Sequence, residues 1–157
     1  MRDRISFRPE TDGDAEFLYR LYASTREQEM QMVPWPDEQK EQFVRGQFAA
    51  QTMHYKKNYT EADYSIILLD GEPAGRLYLH QEPDDLRIMD IAIAPEHRGS
   101  GIGTLLLKEI LERAGAAGHS VSIHVEQFNP AMRLYERLGF KTIDENGVYY
   151  LMKWTPT

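Results

Sequence analysis

Residues 91–104, Ile91-Ala92-Ile93-Ala94-Pro95-Glu96-His97-Arg98-Gly99-Ser100-Gly101-Ile102-Gly103-Thr104, set the architecture of the chain. They begin as the end of a strand pattern and finish as the first turn of a helical one, with three glycines at alternate positions between. Glycine lets a backbone approach a ligand closely, and a helix start leaves N–H groups without intrahelical partners. A Gly-rich strand-to-helix turn therefore suits an anion, a pyrophosphate in particular. Arg98 adds a cationic donor and Thr104 a hydroxyl. Spacing narrows the ligand. A dinucleotide fingerprint G-x-G-x-x-G begun at Gly99 would need glycine at Thr104, and begun at Gly101 would need it at Leu106. A P-loop needs Gly-Lys before its Ser or Thr, and no lysine follows these glycines. Glycines that merely tighten a turn remain the plainer alternative.

Downstream, Ile102, Leu106, Ile110 and Ala114 recur at helical spacing, joined by Leu105 and Ala117, and Gly118 stops the helix. Ser120 to Glu126 then alternates as a strand, with Val121, Ile123 and Val125 on one face. Strand, helix, strand over about 40 residues is a crossover joining parallel strands. A short helix from about Pro130 to Leu138, ended by Gly139, precedes strands near Phe140 to Asp144 and Val148 to Trp154.

Upstream, the pattern is antiparallel. Tyr64 to Leu69 and Glu72 to Gln81 flank Asp70-Gly71, a two-residue hairpin signal because both turn positions need positive φ. Pro83-Asp84-Asp85 turns the chain again into a strand from Leu86 to Ala94. Ile5 to Arg8 reads as a first strand. Thr11 with Asp14 three residues on reads as a capping box, opening a helix with Phe17, Leu18, Leu21 and Tyr22 on one face. A second helix follows Trp35-Pro36 and runs to about Tyr55, with a thin stripe of Phe43, Val44 and Phe48. The fold class is α/β (α+β mixed): antiparallel ends, one parallel pair in the middle, and residues 1–157 as one domain.

The bulk properties agree. The chain has 157 residues, 41% hydrophobic and 27% charged, as expected of one globular domain. No apolar run nears the ~20 residues of a membrane helix, and the N-terminal residues lack a signal-peptide pattern, so a cytoplasmic location is expected. Without cysteine, a covalent Cys intermediate and thiolate metal sites are excluded, so any group transfer would run directly from donor to acceptor. No His-rich spacing suggests a metal. A formal charge of −7 argues against nucleic acid as a partner and leans toward a cationic acceptor.

Two segments carry a family resemblance. Arg98-Gly99-Ser100-Gly101-Ile102-Gly103 resembles the R-x-x-G-x-G/A motif of the GNAT superfamily of N-acetyltransferases. Asn129-Pro130-Ala131-Met132-Arg133-Leu134-Tyr135-Glu136-Arg137-Leu138-Gly139-Phe140 resembles that family's N-x-x-A-x-x-L-Y-x-x-x-G-F segment, with Pro130 alone where the family often has two residues. The order of elements matches along nearly the whole chain. The resemblance implies a mixed sheet of about seven strands, mostly antiparallel with one splayed parallel pair, flanked by about four helices. It implies acetyl-CoA as co-substrate and transfer to a primary amine. A CoA-binding regulatory domain of the same fold without turnover is the alternative, and an unrelated nucleotide-binding protein a more distant one.

Carried over by position, the backbone of Ile91, Ala92 and Ile93 would pair with pantetheine, and the amides of Arg98, Gly99, Ser100, Gly101, Ile102, Gly103 and Thr104 would hold the pyrophosphate. Asn129 would contact the pantetheine arm. Tyr135 would protonate the departing thiolate, with a packing role as its alternative. A backbone N–H near Ala92 would stabilise the oxyanion. Glu126, beside His124 at the end of its strand, is a candidate base or else a solvated strand end. Asp90 alternates with Ile88 and Ala92 unless a bulge re-aims it, and is expected to be buried and bonded to backbone. Glu27 and Glu29, near Arg26, Met30 and Trp35, would suit a cationic amine, against the plainer expectation of a solvated helix end. The aromatic-rich late strands would allow a homodimer.

Overall fold

The computed structural model describes residues 1–157. In chain order the strands are β1 (Ile5–Pro9), β2 (Asp63–Leu69), β3 (Glu72–Gln81), β4 (Asp85–Ile93), β5 (Ser120–Glu126), β6 (Lys141–Asn146) and β7 (Tyr149–Trp154). The helices are α1 (Ala15–Gln31), α2 (Asp37–Asn58), α3 (Ile102–Ala116) and α4 (Met132–Arg137). The strands form one seven-stranded sheet in the order β1-β2-β3-β4-β5-β7-β6. Only β4 and β5 run parallel; all other neighbours are antiparallel. The α3 crossover forces that parallel pair, since parallel strands cannot be joined by a tight turn.

Local signals act where the sequence puts them. Asp70 (φ 53°) and Gly71 (φ 84°) make the β2–β3 hairpin. Asp14 accepts the N–H of Thr11 at 2.8 Å, although a single 3-10 turn intervenes before α1 begins. α2 runs three residues past Tyr55, and α4 is shorter than its sequence pattern at both ends. On α3 the expected face is corrected. Ala117 is exposed beyond the helix end, while Leu107 and Leu111 join Ile102, Leu106, Ile110 and Ala114 in the interior. The helix lies between sheet and neighbouring segments, so its buried stripe is wider than one i, i+4 row.

Eighteen buried residues make one continuous core between a sheet face and α3 and α4. It includes Leu77, Leu79, Leu86, Ile88, Val121, Ile123 and Met152 from the strands, and Tyr135 from α4. The opposite sheet face carries α1 and α2, joined by the small Tyr19, Tyr22 and Val44 cluster. Phe43, part of the expected α2 stripe, is instead exposed and packs edge-on against Trp35 at 5.4 Å.

One irregularity organises the middle of the sheet. Tyr78 lies opposite Asp90 and Leu79 opposite Ile88, which leaves Met89 as an extra residue in β4. Before this bulge Leu86 and Ile88 face the large core; after it Ile91 and Ile93 pack against the same core. Asp90 and Ala92 thereby fall opposite Tyr78 and Arg76, on the face of α1 and α2. Beside it, a Cβ on Gly75 would lie 2.3 Å from the carbonyl oxygen of Ala92, so only glycine fits that rung.

Candidate active site

β4 and β5 are bonded over four rungs, Asp85–Ile88 against Ser120–Ile123. Beyond Ile88, β4 continues to Ile93 bonded to β3, and β5 continues to Glu126 bonded to β7, with no rung between them. The two strands part into a wedge at the bulge, where added twist is expected. The segment Met89–Ile93 thus presents a strand edge with no neighbouring strand inside the sheet, about 16 Å long at ordinary strand rise, with side chains on the carbonyls of its two end residues. Such an edge is a template for an extended chain that carries its own amides.

The free edge runs into the Gly-rich turn. Gly99 (φ 78°) and Gly101 (φ 89°) adopt a backbone that side-chain-bearing residues rarely take, and α3 starts directly after Gly101. None of the six amides from Gly99 to Thr104 donates to a backbone carbonyl; the first such bond is Leu105 N–H to the Gly101 oxygen at 3.0 Å. Six consecutive free donors at a helix start form an anion cradle. Arg98 behaves differently from its sequence expectation. Its amide donates to Pro95 at 3.2 Å, its Nε to the Ile93 carbonyl at 2.9 Å, and its Nη2 to Ser24 Oγ at 2.8 Å. It ties the end of β4 to α1, and the cradle proper begins at Gly99.

Tyr135 is 4% exposed and packs edge-on against Phe140 at 5.8 Å, so it is a core residue whatever its chemistry. Burial, and then the charge of Asp90, push its phenol up to about 12, which keeps the hydroxyl protonated at neutral pH. Asn129 uses Oδ1 to accept the Ala131 N–H at 2.8 Å, leaving its NH2 group to point elsewhere. Glu126 lies 2.8 Å from Arg26 of α1, which also holds Glu29 at 3.1 Å. The carboxylates expected to receive a cationic amine are therefore partly neutralised from within: Glu29 is engaged and Glu27 lines a separate cleft. That cleft, about 410 Å³ between α1 and α2, is also lined by Arg20, Ser24, Met30, Glu41 and Val44.

Asp90 departs from expectation as well. Its partner is not backbone but the guanidinium of Arg76, which is 3% exposed and also bonds Gln51 of α2 at 2.8 Å. The bulge turns Asp90 toward Arg76, and the ion pair holds it there. Tyr55 of α2 donates to the Met89 carbonyl at 3.1 Å, clamping the extra residue. Burial raises the Tyr55 phenol, with Asp90 adding to the effect, so it too stays a donor. Nothing in the sequence marks Arg76 or Tyr55. A mid-strand arginine reads as an outward polar residue, and its burial depends on α2 lying across that face.

Comparison with known proteins agrees with this geometry. The family model described as "Acetyltransferase (GNAT) family" matches residues 16–140. The chain is 27% identical to a [ribosomal protein bS18]-alanine N-acetyltransferase of Haemophilus influenzae, covering 87% of this chain and 82% of that protein. Its fold is similar to a PaiA N-acetyltransferase from Thermoplasma acidophilum solved with coenzyme A, with TM-score 0.70, 18% identity, and coverage of 96% and 98% of the two chains. A ribosomal-protein-S18-alanine N-acetyltransferase from Escherichia coli is similar at TM-score 0.61 and 17% identity, covering 98% of this chain and 94% of that one.

Proposed function

The chain belongs to the acetyltransferase (GNAT) family, and we propose that it moves acetyl from acetyl-CoA directly to a primary amine in the wedge between β4 and β5. One observation carries this reading: the free edge of Met89–Ile93 runs into six unpaired amides at the start of α3. An extended arm with two amides, ending in a pyrophosphate, fits that pair of features in length and in hydrogen-bonding character.

In this reading the backbone of Ile91, Ala92 and Ile93 pairs with the pantetheine arm, and Gly99 to Thr104 hold the pyrophosphate. Arg98 fixes the start of that cradle through Ile93 and Ser24. Asn129 uses its free NH2 group on the arm. The bound thioester supplies an activated acyl group. An alkyl amine near pKa 10.4 arrives mostly protonated at neutral pH, so a proton must leave it. Glu126 takes that proton, directly or through water, while Arg26 holds the carboxylate in place. A backbone N–H near Ala92 faces the developing negative charge. Tyr135 returns a proton to the thiolate from the core side, and a phenol kept protonated by burial suits that task. No helix is long and apolar enough to cross a membrane, and residues 1–157 act as one domain in the cytoplasm.

The two bS18-alanine N-acetyltransferases act on an alanine amine, which supports an amino group as the acceptor atom. The test is CoA thiol release from acetyl-CoA across a panel of amines. Release that depends on an amine supports transfer. Tight CoA binding without release from any amine would move the protein to a non-catalytic CoA-binding role.

A further inference from the structure

An acceptor meets the thioester at the foot of the wedge and from the face of α1 and α2, because the large core, α3 and α4 fill the other face. Two carboxylates near that foot already have cationic partners: Glu126 with Arg26, and Asp90 with Arg76. Arg87 is the opposite case. It sits one residue before the last β4–β5 rung, opposite Ser122, and alternation with Leu86 and Ile88 turns it to the acceptor face. Arg87 is absent from every ion pair of the molecule within 4.0 Å.

Its side chain is nonetheless held. Nε donates to Ser122 Oγ at 2.7 Å, and Nη1 lies 3.4 Å from His124 Nδ1. Ser122, 3% exposed, donates in turn to Asp85, whose other oxygen accepts from Ser120 at 2.7 Å. The Asp85 carboxylate is thus occupied by hydroxyls, and it steadies Arg87 through Ser122. Burial, and then the charge of Arg87, lower the His124 pKa, with Asp144 of β6 opposing them. Of five guanidinium N–H groups, these contacts use at most two. A pre-positioned cation with spare N–H groups is the matching half of a bidentate carboxylate contact.

We propose that Arg87 binds a carboxylate of the acceptor, so that the preferred acceptor is an amine carrying its own carboxylate, such as a free amino acid. This rests on the acetyl-transfer reading. Here the local charge at the foot of the wedge adds a requirement that the net −7 of the chain, which leans toward a cationic acceptor, does not express.

The experiment compares kcat/KM for matched pairs of amino acids and their C-terminal amides, in wild type, Arg87→Ala and Arg87→Lys, by CoA thiol release. Amides carry the less basic amine, so amine basicity alone favours them. The expected wild-type ratio favours the acids by at least ~10-fold, the range of one charge-assisted contact. Arg87→Ala is expected to bring the ratio near one through KM for the acid rather than kcat, with Arg87→Lys intermediate. Turnover of amides with no preference for the acids in wild type overturns the assignment of Arg87 and leaves acetyl transfer standing. An equal loss for both members in Arg87→Ala also overturns it, because the residue then acts on the fold. No release from any amine by a protein that binds acetyl-CoA overturns both.

Discussion

The two faces of the sheet are built by different physics. On one, α3 and α4 close over eighteen buried residues and almost no charge. On the other, α1 and α2 share an apolar cluster of only three, and much of the attachment is polar: Arg8 to Asp14, Arg26 to Glu126, Lys56 to Glu10, Arg76 to Gln51, and Tyr55 to a backbone carbonyl. Apolar packing is non-directional and tolerates substitution that conserves volume. Ion pairs and phenol contacts are directional, and each depends on a named partner. The face of α3 and α4 is therefore shaped by a pattern, and the face of α1 and α2 by individual residues.

This contrast can be broken or sharpened experimentally. The largest effect is expected in the large core: Leu107→Ala, at 2% exposure, should lower stability by ~2–5 kcal/mol, read from urea unfolding. A loss below ~1 kcal/mol would mean that the α3 interface is looser than the sheet packing implies. Next comes the cradle. The Gly101 site has open space but φ 89°, so Gly101→Val should strain the turn by ~1–2 kcal/mol and raise the KM for acetyl-CoA at least ~10-fold. An unchanged KM would remove this turn from donor binding.

Tyr135→Phe tests the one core residue assigned chemistry. It keeps the ring against Phe140 and should lower kcat by ~10-fold or more while CoA affinity stays similar. An unchanged kcat would return Tyr135 to packing alone. The smallest effect belongs to the polar side. Arg8 first, helped by the Thr11 N–H, holds the Asp14 carboxyl at about 2, below its ordinary value near 3.8. A depressed carboxyl stabilises the fold above the unfolded pKa and loses that contribution as pH falls toward the folded one. Asp14→Asn should therefore remove part of the stability lost between about pH 4 and 2, and leave a smaller pH dependence there. An identical acid limb in the two proteins would show that the Arg8 contact adds nothing.

What the sequence discloses follows the same division. β3, β5 and the Asp70-Gly71 hairpin match their sequence patterns because alternation and turn chemistry act locally. The Gly-rich turn at the start of α3 is legible for the same reason, since three glycines at a helix start need no distant partner. The face of α1 and α2 is not. Glu126 and Glu29 look available until Arg26 swings between them, and Asp90 looks backbone-bound until Arg76 is seen buried beneath α2. Arg26–Glu29 is an i, i+3 pair that helical spacing signals, but Arg26–Glu126 and Arg76–Asp90 join residues on different elements, where spacing carries no information. Arg98 belongs with them: its motif position is plain, yet its guanidinium turns back to Ile93 and Ser24.

The extra residue at Met89 puts β4 out of phase with itself. Ile88 and Ile91 serve the same core although an odd number of steps separates them, and Asp90 reaches Arg76 only because of that slip. Removing Met89 would restore strict alternation and leave the sides unchanged, with Asp90 following Ile88 directly and still opposite Tyr78. Ile91 and Ile93 would keep to the large core, and Asp90 and Ala92 to the face of α1 and α2. The unpaired methionine therefore matters for shape: it marks where β4 parts from β5 and supplies the carbonyl that Tyr55 holds, so its loss is expected to narrow the wedge without turning any residue over.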